Sequence, residues 1–153
     1  MKTLLVMRHA KSAWDNPHHS DHERPLNERG CRDAPLIGHR VAALGLPLDA
    51  VVSSDAVRAE QTAELVNDVL QLPRSTTPAL YHASVDDWQS VVATFDNDWN
   101  GVLAVAHNPG VSDLLFALGG DGHVPTATVL HLQLPDWSGL LDATLIGVLR
   151  PSD

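Results

Sequence analysis

The apolar positions of this chain fall into two alternating patterns. Leu4-Leu5-Val6-Met7, Ala50-Val51-Val52 and Val102-Leu103-Ala104-Val105 are short continuous apolar runs that stop at polar or small residues. Such runs predict strands covered on both faces. Between them the spacing becomes helical. Asn27-Glu28-Arg29-Gly30 opens a segment in which Ile37, Val41 and Leu44 recur on one face before Gly45 ends it. Pro35 lies inside that segment, and an interior proline costs about 3 kcal/mol, so a kink or a fresh helix start is expected there. A second helix carries Ala59, Thr62, Ala63, Val66 and Val69 as its core stripe, with Asp55 expected as its N-cap. A third, from Ser84 to about Asn97, shows Trp88, Val91, Val92 and Phe95 at helical spacing. Near the end, Val129 to Leu134 alternates cleanly and turns through Pro135-Asp136-Trp137-Ser138-Gly139 into Leu140 to Leu149, an antiparallel hairpin. His131 falls off the leucine face and reads as structural. Strand and helix in alternation predict an α/β fold, a three-layer, mostly parallel mixed sheet flanked by helices with that hairpin appended.

Three of the strands end in chemically suggestive residues. The first delivers Arg8-His9-Ala10. The second runs through Ser53-Ser54-Asp55 into a helix whose first turn holds Arg58, and the third delivers His107-Asn108-Pro109-Gly110. Ligands of open α/β sheets bind outside the carboxyl ends of the strands, so these distant residues can meet in one crevice. Two arginines and two histidines would then converge with no carboxylate among them, a pocket suited to a dianion. A neutral imidazole can attack phosphorus and carry a covalent intermediate. Its other ring N–H must then be tied to a carbonyl or carboxylate, and pre-placed donors must meet the charge on the phosphoryl oxygens. Lys11, Ser12 and Asn108 flank these positions, as phosphate contacts or as turn residues.

On Arg8-His9-Ala10-Lys11-Ser12, Arg24-Pro25-Leu26-Asn27-Glu28-Arg29-Gly30, Ser53-Ser54 with Arg58-Ala59-Glu60-Gln61-Thr62, and His107-Asn108-Pro109, the chain resembles the histidine phosphatase superfamily, most closely its small SixA-type branch. The resemblance implies a phosphoglycerate-mutase-like fold and one catalytic domain over 1–153. It implies His9 as the phosphorylated nucleophile, with Arg8, Arg58, His107 and Arg24 holding phosphoryl oxygens. The broader family has Gly after the nucleophile where this chain has Ala10, a departure that fits the SixA-type branch. Larger members carry a glutamate near the position of Tyr81-His82-Ala83-Ser84, as proton donor to the leaving group, and none stands here. An imidazole leaves more readily than an alkoxide, so the gap tilts the reading toward phosphohistidine. His82, Asp86 or Asp87 could instead supply the proton, or be plain loop and helix-start residues. His82, Ser12, Asn108 and Arg24 are the expected substrate contacts.

Composition narrows the partners. At 153 residues the chain suits a single domain without linker or repeat, and its net charge of -9 argues against nucleic acid or an anionic membrane. One cysteine, Cys31, rules out an internal disulfide, and the apolar start is too short for a signal peptide. A cytoplasmic protein, monomeric or a small homo-oligomer, is expected. His18, His19 and His22 with Asp21 form a polar loop that a metal could exploit, but their spacing follows no zinc pattern. That loop is expected to rim the pocket. Arg24 behind it would swing to phosphate, or else pair with Glu23 or Glu28. The sequence thus predicts a phosphatase without metal or cofactor, acting through phosphohistidine at His9 on a phosphohistidine-bearing protein. The alternatives are a small-molecule phosphomonoesterase and a phosphate-binding regulatory module.

Overall fold

A computed structural model describes residues 1–152 of the chain. The strands are β1 (Lys2–Arg8), β2 (Ala50–Ser54), β3 (Arg74–Thr77), β4 (Gly101–Ala106), β5 (Val129–Leu134) and β6 (Thr144–Leu149). The α-helices of the described residues are α1 (Glu28–Ala43), α2 (Val57–Leu70), α3 (Val85–Ala93) and α4 (Gly110–Ala117). All six strands join one sheet in the order β3-β2-β4-β1-β5-β6. The pairs from β3 to β1 are parallel, and β5 and β6 are antiparallel additions. The expected mixed sheet is therefore present.

Alternation of side chains across the sheet explains the three layers. Leu4 and Val6 of β1 face a core made with Trp88, Val92 and Leu114 of α3 and α4. Leu5 and Met7 face the opposite core, with Ile37 and Val41 of α1 and Ala63 and Val66 of α2. A strand buried on both faces needs an unbroken apolar run, and β1 has one.

The helices depart from expectation at two points. α1 runs unbroken through Pro35 rather than restarting there. Its start is fixed by Asn27, whose side chain accepts from Gly30 N at 2.9 Å, and Ala34, Ile37, Gly38 and Val41 are buried against the rest of the core. Packing along that face outweighs the local cost of the proline. In α2 the N-cap is Ala56, with no side-chain cap, instead of Asp55. Asp55 Oδ1 pairs with His22 Nε2 at 3.0 Å, and Val57 N donates to the His22 carbonyl at 3.0 Å. The 15–23 loop has taken over the capping. α3 begins as expected, with a reciprocal capping box between Ser84 and Asp87. The second arm of the hairpin begins later than the apolar pattern suggests, because Leu140–Asp142 form a 3-10 turn before β6.

Candidate active site

β2, β4 and β1 lie side by side, so their carboxyl ends bring Ser54 with Arg58, His107, and Arg8 with His9 to one rim of the sheet. A cavity of about 320 Å³ opens there, with Arg8, His9, Arg24, Arg58, His82 and His107 in its lining. Lys11, Ser12, Trp14, Asn108 and Asp21 also reach it. A larger cavity, about 410 Å³, lies between β3 and α3 and has no titratable side chain in its lining. The chemistry belongs to the smaller one.

The imidazole of His9 is fixed at both nitrogens. Nδ1 lies 2.7 Å from the Ala10 carbonyl, which can only accept, so Nδ1 carries the proton. Nε2 is then a lone pair, and it accepts from Arg58 Nε at 3.3 Å. Ala10 is itself held, because its N–H donates to Thr62 Oγ1 at 3.0 Å while that hydroxyl donates to the Arg58 carbonyl at 2.7 Å. Burial drives the His9 pKa down to about 4; Arg58, Arg8 and Arg24 add to the shift, and the Ala10 hydrogen bond opposes it. His9 is therefore neutral at physiological pH.

His107 stands beside it, ring centroids 5.1 Å apart. Its Nε2 is 2.8 Å from Ser54 Oγ, and its buried Nδ1 has no partner among the described residues. Burial, then His9 and Arg58, lower its pKa to about 3. Arg8 donates to the Val124 carbonyl at 3.0 Å, and its buried Nε is unpartnered among the described residues. Burial and the neighbouring Arg58 lower the Arg8 pKa.

Asp21 overturns the expectation of a pocket free of carboxylates. One of its oxygens, Oδ2, accepts from Arg58 Nη2 at 3.0 Å and from the Tyr81 hydroxyl at 2.6 Å. The other accepts from Arg24 Nε at 3.3 Å and Nη2 at 3.2 Å, while the Asp21 carbonyl takes Arg58 Nη1 at 2.6 Å. Its partial burial would raise its pKa, but Tyr81 and the two guanidinium groups together hold it well below the usual carboxylate range. Arg24 pairs with neither Glu23 nor Glu28. It donates to Ser12 Oγ at 2.9 Å and lies 3.4 Å over the ring of Trp14. With Arg8, Arg24, Arg58 and Lys11 against Asp21, the lining remains net positive in a chain of net charge -9. Such a pocket concentrates a small anion.

The other expected residues sort by their remaining hydrogen bonds. Asn108 has both ends of its amide engaged, donating to the Val124 carbonyl and accepting from Ser112 N in α4. His82 is exposed, with a left-handed backbone (φ 56), and its ring rests on Tyr81 with centroids 4.0 Å apart. Asp87 is engaged in the α3 capping box, and Asp86 does not line the cavity. The loop histidines diverge: His19 faces Asn16, and His22 faces Asp55 and the edge of Tyr81. Among the described residues no group of three His, Cys, Asp or Glu is placed to hold a metal ion. No helix among them is long and apolar enough to cross a membrane.

Sequence reasoning missed Asp21, Ser54, Thr62 and Tyr81 as members of the site. Asp21 had one legible signal, a carboxylate three residues before the arginine expected at phosphate.

Known proteins resemble this chain in sequence and in fold. The sequence model of the histidine phosphatase superfamily (branch 1) matches residues 4–111. An uncharacterized protein of Mycobacterium leprae is 33% identical over 119 residues, 76% of this chain and 73% of that protein. The phosphohistidine phosphatase SixA of Escherichia coli is 38% identical over 72 residues, 47% of this chain and 44% of SixA. The structure of a protein histidine phosphatase SixA complexed with tungstate superposes with a TM-score of 0.85 at 28% identity, covering 97% of each chain.

Proposed function

The chain belongs to the histidine phosphatase superfamily, and from that premise we propose that it is a phosphatase whose nucleophile is His9 Nε2 and whose substrate is phosphohistidine on a protein. The observation that carries this reading is the His9 tautomer. The Ala10 carbonyl holds the proton on Nδ1, which leaves Nε2 as a lone pair facing the arginine-lined cavity.

In the first step the Nε2 lone pair forms an N–P bond as the bond from phosphorus to the leaving nitrogen breaks, and the departing imidazole takes that electron pair and a proton from water. In the second, water attacks phosphorus, His9 leaves, and inorganic phosphate is released. Once Nε2 is bonded to phosphorus it no longer accepts from Arg58 Nε, and that N–H is free to turn to a phosphoryl oxygen. Arg8 and His107, which also line the cavity, supply further donors. Positive side chains already balance the developing charge, so the scheme needs no metal.

The choice of phosphohistidine rests on the proton supply. Asp21 is the carboxylate in the cavity lining, and Tyr81 and Arg58 hold it ionised. It has no proton to give an alkoxide, and an imidazole needs one less. The names of the SixA relatives point the same way. In this reading the whole chain is one catalytic domain.

The test is phosphate release, with a chelator present, from a phosphohistidine-bearing protein domain and from a simple alkyl phosphate side by side. Faster release from the phosphohistidine is expected. Preference for the alkyl ester would make the protein a phosphomonoesterase with a donor in its loops, and release from neither would make it a phosphate-binding module.

A further inference from the structure

Beside the phosphate cavity lies a second one of about 280 Å³, and the two share His82, His107, Asn108 and Pro109 in their linings. The rest of its wall is Ala83, Ser84, Gly110 and Asp113. The shared residues set the two cavities side by side, so a group attached to a phosphoryl in the first lies next to the second. What that cavity offers follows from which of its polar atoms are already engaged.

Most of them are. Asn108 is bonded through both ends of its amide, and Ser84 Oγ accepts from Asp87 N at 3.1 Å as the cap of α3. His107 Nε2 faces Ser54, and burial keeps the ring neutral. The first turn of α4 offers little to an anion, because Val111 N, Ser112 N and Asp113 N already donate to the His107 carbonyl, Asn108 Oδ1 and the Pro109 carbonyl. The carboxylate of Asp113 is exposed and makes no ion pair or side-chain hydrogen bond among the described residues. A cavity for anions thus adjoins one whose open charge is negative.

We propose that the cavity bounded by His82, Ser84, Asn108 and Asp113 is a leaving-group subsite that takes a cation, an ammonium or guanidinium carried on the substrate close to its phosphoryl group. The proposal rests on the phosphatase reading above and narrows its substrate class. On a protein substrate the cation is a lysine or arginine beside the phosphorylated residue. His82 stands at the boundary between the two cavities, fixed on Tyr81, and directs the leaving group toward Asp113. The net charge of -9 attracts the same partner over longer range.

Unreactive phosphonates test this without turnover. Calorimetry compares ω-aminoalkylphosphonates of graded length with alkylphosphonates of equal length, on the intact chain and on Asp113→Asn, with inorganic phosphate as reference. At one or more lengths the amino compound should bind about threefold to tenfold tighter, an advantage that shrinks with added salt and disappears in Asp113→Asn. Phosphate should bind both proteins alike. Equal binding of the two series at every length, or a preference that survives Asp113→Asn, overturns the subsite while leaving the phosphatase reading intact. Failure of inorganic phosphate itself to bind overturns the phosphatase reading and the subsite with it.

Discussion

At the scale of single residues, the site depends on neutral imidazoles and on a carboxylate that holds the arginines. His9 carries the imidazole lone pair that faces Arg58 in the cavity lining, so His9→Ala should abolish phosphate release while the melting temperature stays within a few degrees of the parent; equal rates in the two proteins would refute the nucleophile. Asp21 has two opposing effects. It orients Arg58 and Arg24, and it sets a negative charge beside the place where a dianion must bind. Asp21→Asn removes the charge and loosens the arginines. Inorganic phosphate should then bind about tenfold tighter, since a like charge at this range opposes binding by on the order of 1 to 2 kcal/mol, while turnover falls at least tenfold. Weaker phosphate binding in the variant would mean that orientation is the whole of its role.

At the scale of elements, glycines set how closely the site's supports approach. A Cβ on Gly110 would collide with the Ala83 carbonyl, so this position lets the start of α4 lie against the loop that carries His82. Gly110→Ala should separate the two, destabilise the protein by about 2 kcal/mol or more and lower activity through displaced His107 and His82. Denaturant unfolding and phosphate release check both effects; a variant as stable as the parent would mean that the contact yields without strain. The elements also mark how far the sequence could be read. His9, Arg58 and His107 were legible because each stands where an apolar run gives way to polar residues, a local signal. Asp21 and Tyr81 were not, because only the path of the 15–23 loop brings them together, and Ser54 was not, because only the pairing of β2 with β4 sets it against His107. The Asp55 cap failed for the same reason, as a distant carbonyl and a histidine competed for the helix start and its acid. Pro35 shows tertiary packing overriding a local rule.

For the molecule as a whole, the buried histidines couple the site to stability. His9 and His107 titrate near pH 4 and pH 3 in the fold, against an ordinary value of 6.5 in the unfolded chain. Between those values the unfolded state binds more protons, so stability is full above pH 6.5 and declines as pH falls toward 4. Each imidazole contributes about 1.4 kcal/mol per pH unit across that window. Asp21, whose pKa is lowered as well, adds a loss of the same sign only as pH falls below its ordinary value of 3.8. Melting temperatures between pH 7 and pH 4.5 should drop steeply, and His9→Asn with His107→Asn should flatten the slope; a parent curve already flat would falsify the coupling. The same central placement has a further consequence during synthesis. Leu4 of β1 pairs with Val102 on one side and Leu132 on the other. β1 therefore leaves the ribosome before either of its neighbours and waits, apolar and unpaired, until β4 and β5 have followed it. His9 acquires its surroundings only when β4 and β5 close around it, so a nascent chain stalled before β4 would expose an adhesive edge and leave the cavity unformed.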